Sequence, residues 1–276
     1  MTPYAEVIGD PIAQSKSPVI HNFWLEKLGI DADYRTCHVK PEELADYFAL
    51  RRRDPAWRGC NVTIPHKEQV APFVDELESA GAKVGAINTV WPDGKGGLNA
   101  TNTDIDGVKE ALRASNPAGR PVVIIGAGGA ARAVFAYLEG LGCASVRVLA
   151  RNHAKARDTL KDFDLPVTRC PFEPGGAGLA DAAIVINATQ LGMAGQLPMP
   201  QFVLDQLADT GPDCLVFDMV YAPLDTQLLQ RAAAFGRTTS HGLTMLVGQA
   251  RTAFARFFGA VPDPRDDAEL FRRLTT

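Results

Sequence analysis

Four polar clusters interrupt the apolar runs of the first part of the chain: Ser15-Lys16-Ser17-Pro18, Asn61-Val62-Thr63-Ile64-Pro65-His66-Lys67, Ala86-Ile87-Asn88-Thr89 and Asn102-Thr103-Asp104-Ile105-Asp106-Gly107. Each falls where an apolar run ends or a helical period begins. Taken singly, each has a plain structural reading. Ser17 suits the N-cap of a helix over Pro18–Leu28, Asp104 suits the cap of a helix over Ile105–Ala114, and Lys67 reads as a surface lysine near the start of a helix over Pro65–Ala80. Taken together they place hydroxyls, carboxamides, an ammonium and a carboxylate at comparable topological positions. That is the set of groups that recognises a small hydroxylated carboxylate. Lys67 stands out chemically, because a cation at a helix start opposes the helix dipole. Desolvation or a positive neighbour that lowers its pKa from about 10.4 makes it a general acid or base near neutrality.

A second kind of chemistry follows Val122-Val123-Ile124-Ile125. Gly126-Ala127-Gly128-Gly129-Ala130-Ala131 fits G-x-G-x-x-G/A between a strand and a helix. Gly126 permits the tight turn, Gly128 admits a pyrophosphate, and Ala131 lets the helix lie close to the strand. The helix N-terminus then turns free N–H groups to the phosphates. A turn that needs glycine only for packing is the alternative, and the strand-turn-helix context favours the cofactor. An NAD site usually carries an acid about 20 residues beyond the glycines. Here the run is Ala150-Arg151-Asn152-His153-Ala154-Lys155, and the next carboxylate is Asp158. Arg151 and Lys155 suit a 2′-phosphate, so NADP is expected over NAD, although a solvated Arg-Lys pair gives the same pattern.

The elements that must hold these residues are short apolar runs alternating with helical periods, the pattern of an α/β fold with largely parallel strands. Strands are expected at Ala5–Ile8, Tyr34–His38, Gly59–Val62, Ala86–Trp91, Val122–Ile125, Val146–Leu149, Ile184–Asn187 and Leu215–Asp218. The 276 residues exceed a typical single domain, and Ser115-Asn116-Pro117-Ala118-Gly119-Arg120-Pro121 is a punctuation cluster. We therefore expect two domains, 1–104 completed by C-terminal helices 243–276, and 105–242. A net charge of −4 disfavours nucleic acid, and no membrane span or leader pattern stands out, so a cytoplasmic protein is expected. Five widely spaced cysteines signal neither a disulfide framework nor a zinc site.

The ordered series closely resembles the shikimate dehydrogenase family. It comprises Gly9-Asp10-Pro11 with Ser15-x-Ser17-Pro18-x-x-His21-Asn22, Asn61 to Lys67, Gly85 to Thr89, Asn102-Thr103-Asp104-x-x-Gly107, Gly126 to Ala131, Asn187-Ala188-Thr189, Asp218-Met219-Val220-Tyr221-x-Pro223 and Gly242-Leu243-x-Met245-Leu246-x-x-Gln249-Ala250. The resemblance implies an N-terminal α/β substrate-binding domain joined to a Rossmann-type dinucleotide-binding domain. It implies reversible NADPH-dependent reduction of 3-dehydroshikimate to shikimate on the route to aromatic amino acids. Lys67 and Asp104 would form the catalytic pair. Ser15 and Ser17 would hold the carboxylate, Thr63, Asn88 and Gln249 the ring hydroxyls or carboxylate edge, and Tyr221 would close the substrate site. Gly126, Ala127, Gly128, Gly129, Ala130, Arg151, Asn152 and Lys155 would bind the cofactor phosphates and adenosine, with Met219 and Gly242 at the nicotinamide end and no metal. His21 and His66 read as packing neighbours. A relative acting on quinate or an aminated analogue, with NAD possible, is the nearest alternative, and the partner is a small molecule bound by a monomer or homodimer.

Overall fold

The computed structural model describes residues 1–175 and 178–275. The chain divides into two compact units, Met1–Asp104 with Gln249–Thr276, and Ile105–Gly248. The returning segment starts at Gln249, inside a helix, where the sequence suggested Leu243.

The first unit carries β1 (Tyr4–Gly9), α1 (Ser17–Leu28), β2 (Asp33–His38), α2 (Leu44–Arg51), β3 (Trp57–Val62), β4 (Glu76–Leu77), α3 (Ser79–Val84), β5 (Thr89–Pro92) and β6 (Leu98–Thr101), followed by α4 (Asp104–Ala111), which opens on its last residue. Its strands form one sheet in the order β2-β1-β3-β5-β6-β4. The sheet is mixed, with two antiparallel pairings in a chain whose other strand pairings are parallel, as the largely parallel expectation has it. Strand β1 is parallel to β2 and β3, whereas β5 is antiparallel to β3 and β6. The β5–β6 pairing follows from the turn after Pro92, where Asp93 Oδ1 accepts from the Lys95 and Gly97 amides at 2.6 and 2.8 Å and folds the chain back as a hairpin. So short a connection allows only antiparallel neighbours.

The helix expected over Pro65–Ala80 does not form. Two short 3₁₀ turns, His66–Glu68 and Ala71–Phe73, precede β4 and α3. Pro72 has no N–H to give a helix, and the polar run offers no continuous apolar face to bury. Lys67 therefore sits in a single tight turn, and the opposed-dipole argument does not apply to it. Ser17 is likewise not a cap: α1 begins at Ser17 itself, with Lys16 in the N-cap position.

One face of this sheet packs Tyr4, Ile8, Tyr47, Phe48 and Trp57. Among them lies Glu6, wholly buried, accepting from Tyr47 Oη at 2.8 Å and Arg51 Nε at 2.5 Å. Against the other face, Trp24 of α1 meets Phe254 edge-on with centroids 5.5 Å apart. Phe254 and Phe257 belong to α9 (Gly242–Phe258), the last long helix. Gly59 takes φ +142°, and a Cβ there would strike the Phe257 ring, so only glycine lets this helix settle on β3. The final helix, α10 (Asp267–Thr275), lies along α1 through Lys27–Glu269 at 2.6 Å and Arg273–Glu26 at 3.0 Å. Lys16 Nζ donates to the Leu274 carbonyl at 2.6 Å.

The second unit contains β7 (Pro121–Ile125), α5 (Gly129–Leu138), β8 (Ser145–Ala150), α6 (His153–Leu160), β9 (Val167–Pro171), β10 (Ile184–Asn187), α7 (Gln201–Gln206), β11 (Leu215–Asp218), α8 (Gln227–Ala234) and β12 (Thr238–His241). All pairings are parallel, in the order β12-β11-β10-β7-β8-β9. Such a sheet needs cover on both faces. Val122 and Ile124 pack with Phe135 and Leu138 of α5, while Val123 and Ile125 pack with Val203 of α7 and Leu228 of α8. The chain runs outward from β7 to β9 and then from β10 to β12 on the opposite side. This leaves a switch point beside β7, where open α/β sheets bind ligands.

Candidate active site

In the first unit the polar clusters converge on one carboxylate. Lys67 Nζ donates to Asp104 Oδ2 at 2.7 Å, and Asn88 Nδ2 donates to Asp104 Oδ1 at 2.9 Å. Asp104 is the first residue of α4, and the capping role anticipated for it falls to Asn102, whose Oδ1 accepts from the Asp104 amide at 2.9 Å. Its carboxylate is thereby free for Lys67. The Lys67 side chain is 30% exposed and that of Asp104 19%, so the pair is open to a small molecule.

Asn88 is fixed from the other side. Its Oδ1 accepts from the Thr103 amide at 2.8 Å and from Thr89 Oγ1 at 2.9 Å. The amide therefore presents Nδ2 to Asp104 in one orientation. Thr103 Oγ1 reaches Gln249 Oε1 at 3.3 Å, which ties the predicted Gln249 of α9 to the same group. Asn61 donates through Nδ2 to the Asn88 carbonyl and Thr89 Oγ1, both at 3.2 Å, and accepts from Tyr34 Oη at 2.6 Å. The Tyr34 phenol is pushed far up by burial, opposed by a hydrogen bond from Ser17.

Ser15 and Ser17 lie together, with Ser15 Oγ accepting from the Ser17 amide at 3.3 Å. Thr63 follows β3, its amide bonded to the Ile8 carbonyl at 3.0 Å. The two histidines are structural. His66 Nε2 meets the Val39 carbonyl at 2.7 Å, and His21 is fully buried, stacked on Tyr34 at 3.9 Å. Burial lowers the His21 pKa to about 3, so the ring is neutral. Tyr34, Asn61, Asn102 and Thr103 were not singled out as site residues. The available signal was a polar residue inside an otherwise apolar strand, as at Asn61.

In the second unit the glycine turn ends β7. Gly126 takes φ +103°, and a Cβ there would press on Thr189 Cγ2 at 2.6 Å. At Gly128 and Gly129 an added Cβ would meet nothing within 4 Å, so an open cradle stands at the start of α5. A pyrophosphate fits there, on free helix N–H groups. At the end of β8, Asn152 caps α6 by accepting from the Lys155 amide at 2.9 Å. Arg151 and Lys155 are exposed, and among the described residues the Arg151 guanidinium has no protein partner. A phosphate is the group such a free guanidinium suits. On the other side of β7, Met219 is half-buried, Tyr221 is 41% exposed, and a Cβ on Gly242 would collide with the Met219 carbonyl.

A fully parallel doubly wound sheet with this turn defines a Rossmann-type nucleotide-binding unit, here within a two-unit α/β chain that also carries a Lys-Asp pair. The model of the shikimate dehydrogenase substrate binding domain matches residues 7–90, and that of shikimate / quinate 5-dehydrogenase matches residues 109–193. The chain is 47% identical over 269 residues to a shikimate dehydrogenase (NADP(+)) of Sphingopyxis alaskensis, covering 98% of this chain and 96% of that one. Among solved structures it resembles shikimate 5-dehydrogenase from Thermus thermophilus in complex with NADP(H) and shikimate, with 33% identity, TM-score 0.83 and 99% of each chain covered. It also resembles quinate dehydrogenase from Corynebacterium glutamicum in complex with NAD, with 28% identity, TM-score 0.84 and 99% of each covered. The chain belongs to the shikimate dehydrogenase family.

Proposed function

We propose that the chain catalyses the reversible NADPH-dependent reduction of 3-dehydroshikimate to shikimate, a step in aromatic amino acid biosynthesis. The observation that carries this reading is the Lys67–Asp104 pair, held at 2.7 Å and oriented by Asn88. An ammonium has three N–H groups, and Asp104 engages one, leaving two to face a substrate oxygen. In the direction of reduction Lys67 gives a proton to the C3 oxygen as it becomes a hydroxyl, and in reverse it takes that proton back. Asp104 keeps its carboxylate throughout and fixes the line along which the Lys67 proton moves. When bound, NADP supplies the hydride or accepts it.

Ser15 and Ser17 hold the substrate carboxylate, Thr63, Asn88 and Gln249 its hydroxyls, and Tyr221 covers it. Gly126 to Ala130 receive the pyrophosphate, Arg151, Asn152 and Lys155 the adenosine 2′-phosphate, and Met219 and Gly242 the nicotinamide. Residues 1–104 with the C-terminal helices form the substrate domain, and the parallel-sheet unit is the NADP domain. Among the described residues no helix is long and apolar enough to cross a membrane, and we read the enzyme as cytoplasmic, a monomer or homodimer. The test crosses shikimate and quinate with NADP⁺ and NAD⁺, following cofactor reduction by absorbance. Turnover confined to shikimate with NADP⁺ is expected. A preference for quinate or NAD⁺ would replace this reading with that of a quinate-type relative.

A further inference from the structure

Asp218 ends β11, is wholly buried, and has a role that the hydride-transfer scheme does not use. Its Oδ1 accepts from Asn187 Nδ2 at 2.9 Å and from the Val220 amide at 3.0 Å, and its Oδ2 from Thr226 Oγ1 at 2.7 Å. Thr226 Oγ1 in turn accepts from the Leu229 amide at 3.4 Å, so its proton is directed to Asp218. All of these neighbours donate, which is the surrounding of an ionised carboxylate and not of an acid that needs an acceptor. None of them is charged. Every other carboxylate buried as deeply among the described residues, namely Glu6, is paired with arginine. A buried carboxylate without a counter-cation is costly, even with three donors, and burial raises its pKa accordingly.

Its position suggests what balances it. With the pyrophosphate at Gly126–Gly129 and the 2′-phosphate at Arg151 on the β8 side, a dinucleotide crossing the switch point carries its nicotinamide toward β10 and β11. Strands lie about 4.8 Å apart, so the end of β11 is roughly 10 Å from the β7 turn. Asp218 also accepts from the Val220 amide, within the Met219–Tyr221 segment. The nicotinamide ring is cationic when oxidised and neutral when reduced.

We propose that the buried charge of Asp218 acts through space on the oxidised nicotinamide, so that the enzyme holds NADP⁺ more tightly relative to NADPH than it would without this charge. The inference rests on the proposed placement of the nicotinamide at Met219 and Gly242. Asp218 is a positioning residue: it shapes the turn through Val220 and sets the local field, and it takes no proton from the substrate.

The test is calorimetric titration of NADP⁺ and of NADPH, without substrate, on the wild type and Asp218→Asn. The asparagine keeps the shape and removes the charge. Opposite unit charges about 10 Å apart, the scale of a two-strand span, change a binding ratio about fivefold to tenfold at a partly solvated edge. Asp218→Asn is therefore expected to weaken NADP⁺ by that factor while leaving NADPH within twofold. Equal weakening of both cofactors would mean a purely structural role and overturn the proposal, as would no change in either. Thr226→Val removes a donor but keeps the charge, and its ratio should remain that of the wild type. Should Asp218→Asn fail to fold, the smaller and equally uncharged Asp218→Ser carries the same comparison, and a wild-type ratio of NADP⁺ to NADPH affinity in it would overturn the inference. Failure of the wild type to bind either cofactor would instead overturn the functional reading on which it rests.

Discussion

Asn88→Ala tests whether the geometry around Asp104, and not merely the presence of Lys67, sets the rate. The substitution removes the Nδ2 donor to Asp104 and strips the buried Thr103 amide of its acceptor at 2.8 Å. An unsatisfied buried N–H costs about 1–3 kcal/mol, and a hydrogen bond to a charged group contributes about 1.5–3 kcal/mol. Asp104 then keeps one anchor and swings with Lys67, and a misplacement near 1 Å costs about 100-fold in rate. We expect kcat for shikimate oxidation to fall about 30- to 100-fold and KM to rise several-fold, with NADP⁺ affinity by calorimetry unchanged. The decisive assay is a double-mutant cycle with Lys67→Met, read by absorbance of the reduced cofactor. If Asn88 acts through the Lys67–Asp104 pair, Asn88→Ala should add little to the loss already present in Lys67→Met. Multiplication of the two losses in the double variant would refute the reasoning.

Lys67→Met itself should lower kcat about 10²- to 10⁴-fold with cofactor binding intact, and turnover near the wild-type level would end its assignment as proton carrier. Arg151→Ala should weaken NADP⁺ about 10- to 100-fold by calorimetry while leaving NAD⁺ unchanged. Since Arg151 is exposed, its loss should leave the urea midpoint unmoved. His21 has a folded pKa lowered to about 3 from 6.5, so its contribution is complete above pH 6.5 and is lost as the pH falls toward 3. Between pH 6.5 and 5 that amounts to about 2 kcal/mol, and His21→Phe should remove this part of the urea-unfolding pH dependence. An identical dependence in both proteins would show that His21 is not held neutral by the fold.

The parallel sheet of the second unit was legible because β7, β10 and β11 are short apolar runs, and β8 one broken only by Arg147, with helical periods between them. Gly126 and Gly128 announced their turn for the same local reason. Strand β6 and the turns around Lys67 were not legible. Leu98–Thr101 is too short to show a period, and Pro65 to Ala80 contains enough helix-forming residues to hide what Pro72 interrupts. The polar residues of the site could be picked out from their place at strand ends, yet the partners of each were invisible. Asn102 takes over the cap expected of Asp104, and Thr103 locks the Asn88 amide, because hydrogen bonds between segments far apart in sequence leave no local trace. Asn61 was visible only as part of a motif, since a carboxamide inside a strand acquires meaning once Tyr34 and Thr89 are beside it.

The pairing of α10 with α1 bears on how the chain is made. Synthesis delivers β1 and the Ser15–Ser17 turn early, but Lys16 finds the Leu274 carbonyl only after the chain through Leu274 has left the ribosome. The unit from Ile105 to Gly248 is continuous in sequence and complete well before then. During translation the parallel sheet therefore closes first, while the first unit waits with Trp24 and the β1–β3 face uncovered until Phe254, Phe257 and α10 arrive. A nascent chain that has emerged as far as Gly248, with α10 still inside the ribosome, would present a folded nucleotide-binding half and a catalytic half still open to chaperones and proteases.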